Sequence, residues 1–166
     1  MYFSLIDKID FLELGKKIIA TKSLAMSEEY LRDHFPKFPV MPGVLMLEAM
    51  TQTSAWLIRA SENFAHSMVL FKEAKNIKFG QFLRPGQTLT VTASLVEEQG
   101  NLVTLKTEGS IEDQTRVRAQ LVLVRYNLGE ENPSKKLIDK KLINDLKEEF
   151  TLLYPDFFLQ KNQEVL

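Results

Sequence analysis

The chain has 166 residues, 45% of them hydrophobic, which suits one domain with a genuine core. Lys and Arg number 21 against 22 Asp and Glu, so the formal charge of −1 offers no global attraction for a polyanion, and a nucleic-acid partner is not expected. The lack of cysteine excludes disulfides, thiolate nucleophiles and cysteine-held metals, and the two histidines confine any imidazole chemistry to His34 and His66.

The opening MYFSLIDKIDF carries early acids and neither a basic n-region nor a small-residue cleavage site. It does not read as an export signal, and a cytoplasmic location is expected. No window reaches about 18 consecutive apolar residues, so no membrane span is expected either. After Gly15, the β-branched content of residues 17–25 (KIIATKSLA) predicts a strand. Residues 32–43 (RDHFPKFPVMPG) then place three prolines and two phenylalanines in twelve positions, which forbids continuous helix and predicts a rigid loop of specific shape.

From Gly43 the sequence GVLMLEAMTQTSAWLIRASENF has no proline and predicts a helix of four or five turns, with Pro42 at its start. Val44, Leu45, Leu47, Ala49, Met50, Ala55, Trp56, Leu57 and Ile58 surround most of its circumference, so it should be enclosed on several sides. The period then changes to two. Leu89, Val91, Ala93 and Leu95 alternate with hydroxyl residues, and Val103, Leu105, Thr107, Gly109 and Ile111 alternate with polar ones. Val117, Ala119, Leu121 and Leu123 continue the pattern, and turns fall at residues 84–86, 99–101 and 112–114. A shorter strand at 68–71 and a bent segment at 77–82 should precede these. One enclosed helix with several long antiparallel strands predicts an α+β fold in which a curved sheet wraps the helix.

Composition breaks after Leu128. Residues 129–134 (GEENPS) read as a linker and Ser134 as the N-cap of a helix over 135–150, in which Ile138, Leu142, Leu146 and Phe150 form an apolar stripe widened by Leu137 and Ile143. The chain thus divides into a domain at 1–128 and an extension at 129–166.

Two polar residues stand out. Glu48 lies among Leu45, Leu47, Ala49 and Met50, where a carboxylate needs a partner or carries a raised pKa, and a neutral carboxyl group can act as a general acid. The plainer alternative is a rim residue bonded to a neighbouring amide. His34 is either a base or a side chain that locks the proline-rich loop. Gly43, at a first helical turn, presents an amide that can hold a developing oxyanion. His66 is expected to face solvent. Arg116, Arg118 and Arg125 form either a solvated sheet face or a contact for an acidic partner.

His34-Phe35-Pro36, Pro39-Val40-Met41-Pro42-Gly43-Val44-Leu45 and Leu47-Glu48-Ala49-Met50 with Gln52 together resemble the active-site signature of the (3R)-3-hydroxyacyl-[acyl carrier protein] dehydratases. Weaker similarity runs over residues 3–128, where Leu5-Ile6-Asp7-Lys8-Ile9 looks like the family's opening strand. Asp33 and Lys37 stand where the family has glycine. The resemblance implies a hot dog fold and a homodimer, with a trimer of dimers as a further assembly. It also implies dehydration of a (3R)-3-hydroxyacyl thioester, carried by acyl carrier protein or coenzyme A, to a trans-2-enoyl thioester in fatty-acid or related lipid synthesis. His34 falls on the catalytic histidine and Glu48 on the catalytic carboxylate, from opposite subunits, with Gly43 on the backbone donor to the thioester carbonyl. Met46, Met50 and Trp56 are candidate acyl-tunnel walls, and neither a metal nor a cofactor is implied. The other readings are a hot dog thioesterase or isomerase, and an inactive scaffold subunit that binds a partner.

Overall fold

The structure, a computed structural model, describes residues 3–157. Residues 158–166, the last part of the expected extension, lie outside the described residues. Six strands form one antiparallel sheet in the order β1-β2-β4-β5-β6-β3. These are β1 (Lys8–Glu13), β2 (Lys17–Ser23), β3 (Met68–Phe79), β4 (Thr88–Gln99), β5 (Leu102–Ile111) and β6 (Gln114–Tyr126). Helix α1 (Gly43–Ser61) packs against β2, β3, β4, β5 and β6, so the sheet bends around it as its apolar circumference predicts.

The alternation in the sequence is the alternation in the sheet. Leu89, Val91 and Ala93 of β4, Val103 and Leu105 of β5, and Val117, Leu121 and Leu123 of β6 are all buried against the helix, while their neighbours face outward. Thr107 also points inward, and its hydroxyl is satisfied by donating to the Ala119 carbonyl at 2.9 Å. The β5–β6 hairpin turns through Glu112 and Asp113, both at positive φ (52° and 60°), which is the type I′ geometry that matches strand twist.

Helix α1 is enclosed along most of its length, with Met46, Ala49, Met50, Trp56, Leu57 and Ile58 buried. Its buried hydroxyls need no outside partner. Thr51, Thr53 and Ser54 each donate to the carbonyl four residues earlier, at 3.0, 2.8 and 2.8 Å. Among the described residues no helix is long and apolar enough to cross a membrane.

The structure differs from the sequence expectations at four places. The opening strand begins at Lys8, not Leu5. The two pieces expected over 68–82 are one strand, β3, whose alternation is interrupted by register shifts between Phe71 and Glu73 and between Lys75 and Lys78. The stretch expected as a linker holds a helical turn, α2 (Leu128–Glu131), with a capping box between Asn127 and Glu130. Ser134 is not an N-cap; it donates to Asn132, whose side chain also accepts from the Ser134 amide, and helix α3 (Lys136–Leu153) begins two residues later.

Only the C-terminal half of α3 docks. Leu137 and Ile138 are exposed, whereas Phe150 is fully buried and packs on Trp56, Phe64 and Phe157 with ring centroids 5.6, 5.5 and 5.0 Å away. The N-terminal half is held by polar contacts instead. Asp139 accepts from the Ser67 hydroxyl, from the Leu128 amide at 2.9 Å and from the Gly129 amide at 2.7 Å. The bond from Ser67, with those from the two amides, holds its carboxyl below the usual carboxylate range.

A folded-state pKa below the unfolded one means that Asp139 stabilises the fold above its unfolded value of about 4 and stops doing so as pH falls through the folded value. Asp139→Asn should therefore lower Tm at neutral pH, with the gap to wild type narrowing on acidification. A gap independent of pH in calorimetry would contradict the assignment.

Candidate active site

The loop before α1 is closed by its own backbone. Phe35 and Phe38 exchange hydrogen bonds across a tight turn (3.4 and 2.9 Å), and the Val40 amide donates to the His34 carbonyl at 3.1 Å. The Met41 amide donates to Leu83 at 2.9 Å, which ties the loop to the segment between β3 and β4. Within this frame the His34 ring sits half-buried, stacked on Phe35 at 4.3 Å, with Nδ1 3.0 Å from the Val40 carbonyl. A carbonyl only accepts, so Nδ1 carries the hydrogen. In the neutral ring Nε2 is then left with its lone pair, the protonation pattern of a base.

Gly43 opens α1 directly after Pro42, and the first hydrogen bond of the helix runs from the Met46 amide to the Pro42 carbonyl at 3.2 Å. The Gly43 amide precedes that bond and has no acceptor within the helix. A Cβ at this position would stand 3.2 Å from Phe79 Cε1, so Gly43 lets the helix start approach β3 closely.

Glu48 is half-buried one turn further along. Its Oε1 accepts from Gln52 Nε2 at 2.9 Å, and the same amide donates to the Phe3 carbonyl at 3.0 Å while Gln52 Oε1 accepts from the Leu5 amide at 2.8 Å. Gln52 thus clamps residues 3–5 onto α1 and orients Glu48 in one network. In the sequence Gln52 stands out only as part of the motif, although its position four residues after Glu48 puts the pair on one helix face. The plainer alternatives for both residues are therefore realised: Glu48 bonds a neighbouring amide and His34 locks its loop. These contacts leave Nε2 of His34 and the second carboxylate oxygen of Glu48 unused.

Glu48 lines a cleft of about 560 Å³ together with Gln52, Trp56, Arg59, Phe71 and Leu146. His34 is not among the described residues that line this cleft. Of the tunnel candidates, Trp56 lines the cleft, whereas Met46 and Met50 are fully buried in the core. His66 is half-buried and its Nδ1 lies 2.7 Å from Glu62, contrary to the expectation of a solvent-facing ring. Arg125 pairs with Glu62 and with Glu98, and Arg116 donates to Gln114, so these two arginines are engaged locally. Among the described residues no three His, Asp or Glu side chains cluster as metal ligands.

Comparison with known proteins bears on this arrangement. The family model described as a FabA-like domain matches residues 1–120. The chain is 36% identical over 118 residues to the 3-hydroxyacyl-[acyl-carrier-protein] dehydratase FabZ of Pediococcus pentosaceus, covering 71% of this chain and 79% of that protein. It is 32% identical over 130 residues to the protein of the same description from Clostridium kluyveri, covering 78% and 88%. Among solved structures, a chain of the dehydratase heterocomplex ApeI:P from Xenorhabdus doucetiae superposes with a TM-score of 0.62 at 14% identity, over 80% of this chain and 89% of that one. The smu.793 protein of Streptococcus mutans, solved bound to acetyl CoA, superposes with a TM-score of 0.56 at 14% identity, over 75% and 91%. At such identities the structures share the fold alone.

Replacing Gln52 by leucine removes the acceptor for the Leu5 amide and the donor to Glu48 together. Leaving that amide unpaired should cost about 1–3 kcal/mol in urea denaturation. Unchanged stability would show that the clamp carries no weight.

Proposed function

The chain belongs to the FabA-like domain family, and on that premise we propose that it dehydrates (3R)-3-hydroxyacyl thioesters carried by acyl carrier protein to trans-2-enoyl thioesters in fatty-acid or related lipid synthesis. The observation that carries the reading is the His34 ring, whose Nδ1 is committed to the Val40 carbonyl and whose Nε2 is left as the basic atom.

In this mechanism the Gly43 amide donates to the thioester carbonyl, where negative charge grows as the α-proton leaves; the positive end of α1 favours that charge. His34 Nε2 takes the α-proton. The electron pair of that C–H bond forms the new double bond between C2 and C3 while the C3–O bond breaks. Glu48, protonated or bridging through water, brings a proton to the departing hydroxyl, which leaves as water. Gln52 holds the carboxyl in place through its amide. Two protons are moved, one from the α-carbon to His34 and one to the departing hydroxyl, and water is expelled without net oxidation, so the chemistry calls for no metal or redox cofactor.

The reading requires a second copy of the chain, with His34 of one subunit facing Glu48 of the other. What supports it is the state of β3. Among the described residues it is an edge strand whose far side is unpaired, and it exposes Leu70, Phe71, Ile77 and Phe79. A long apolar edge of this kind invites pairing with another strand. The loop phenylalanines Phe35 and Phe38 are exposed as well, and a partner that covers them would also dry the site around His34. Residues 1–128 form the catalytic unit in this reading, and 129–166 the extension.

His34→Ala and Glu48→Gln should each lower kcat/KM by about 100- to 10,000-fold in a continuous assay of enoyl absorbance, with subunit mass by light scattering unchanged. Wild-type turnover in either variant would contradict the assigned roles. Release of free thiol without enoyl product would point to thioester hydrolysis instead.

A further inference from the structure

Glu48, Gln52, Ala55 and Arg59 follow one another on a single face of α1, and all four line the same cleft. Eleven residues separate the first from the last, so the cleft runs about 16 Å along the helix from the proposed reacting centre. Its middle is apolar, with Ala55, Trp56 and Leu70. Its outer wall comes from Leu146 and Glu149 of α3, a helix that lies beyond the stretch matched by the family model.

The far end of the cleft changes character. The Arg59 guanidinium lies over the Trp56 ring at 5.2 Å, and one Nη reaches the Val69 carbonyl at a long 3.5 Å. Its Nε is buried and has no acceptor. Glu149 is half-buried across the gap, near enough to act electrostatically on Arg59 without closing into an ion pair. Burial brings the Arg59 pKa down to about 10 and pushes the Glu149 carboxyl up, which is what two charges short of water and short of each other should show. An apolar trough therefore ends in a guanidinium with one unsatisfied N–H and a half-buried carboxylate across from it. A methyl terminus seated there would bury both without satisfying either.

We propose that α3 is part of the acyl site, and that Arg59 and Glu149 form a polar terminus that selects acyl groups bearing a hydroxyl at the distal end. The hydroxyl oxygen accepts from the Arg59 guanidinium and its proton is donated to the Glu149 carboxylate. The proposal rests on the dehydratase reading for its substrate class, but it can be tested without turnover. Trp56 is the single tryptophan of the chain and lies in the cleft wall, so its fluorescence reports occupancy.

The full-length protein is titrated with two pantetheine thioesters of equal length, one ending in a hydroxyl and one in a methyl group, both long enough to span the roughly 16 Å to Arg59. The hydroxyl-ended ligand should bind about tenfold more tightly or better, because a site built to bond a hydroxyl discriminates strongly against its absence. Arg59→Met and, separately, Glu149→Leu should each bring the ratio close to unity; should Arg59→Met fail to fold, Glu149→Leu and the wild-type ratio still decide. Equal binding of the two ligands to the wild type, or a preference that survives in the folded variants, overturns the proposal. Wild-type turnover of 3-hydroxybutyryl thioester, which stops short of Arg59, separates the two readings: its absence sinks the elimination reading, whereas its presence without the binding preference sinks the polar terminus alone.

Discussion

The hydrogen bond between His34 Nδ1 and the Val40 carbonyl is the contact on which the rest of the site depends. It decides which ring nitrogen can act as a base, and it exists only because the surrounding loop is closed on itself. Three prolines remove backbone freedom from residues 32–43, the Phe35–Phe38 turn closes its tip, and Met41 fastens its end to Leu83. The unfolded chain has little entropy to lose there, so a short loop without regular structure can hold a ring in one orientation. The same stiffness delivers Pro42 and Gly43 to the start of α1, where an unpaired amide comes with the helix.

Glu48 presents the complementary problem, a carboxylate on a helix that the sheet otherwise encloses. Its solution is the Gln52 amide, which spends its other contacts on the Phe3 carbonyl and the Leu5 amide. The N-terminal segment is thereby coupled to the carboxylate, so Phe3 and Leu5 bear on Glu48 although they precede the first strand. The sheet order leaves β3 at an edge with apolar side chains uncovered, and His34 stands apart from the cleft that Glu48 lines. Both features are what the proposed site, shared between two subunits, would require.

The architecture was readable where one period governs a whole element. The apolar circumference of α1 and the strict alternation of β4, β5 and β6 translate directly into burial, because each side chain there answers to a single face. Strand β3 was read in two pieces because its register shifts at Lys72 and at Asn76–Ile77 move the pattern from one face to the other. In the sequence Asp139 is one acid among the many charged residues of the C-terminal helix. Its partners, Ser67 and the amides of Leu128 and Gly129, become neighbours only once α3 has folded back, and no local pattern encodes that. At the site, the motif picked out His34, Gly43 and Glu48, but the partner that sets the histidine tautomer is a backbone carbonyl and leaves no mark in the residue types. Arg59 and Glu149 escaped for a related reason: one lies on the enclosed helix and the other on the extension, 90 positions apart in the chain.

The most direct test of a shared site is to combine the two inactive subunits. His34→Ala and Glu48→Gln proteins are mixed, allowed to exchange subunits, and assayed for enoyl product. Random reassortment gives mixed dimers in which one of the two sites carries both an intact imidazole and an intact carboxyl group, so about a quarter of wild-type activity should return. A mixture that stays as inactive as its parents, after subunit exchange has been verified, would contradict the account.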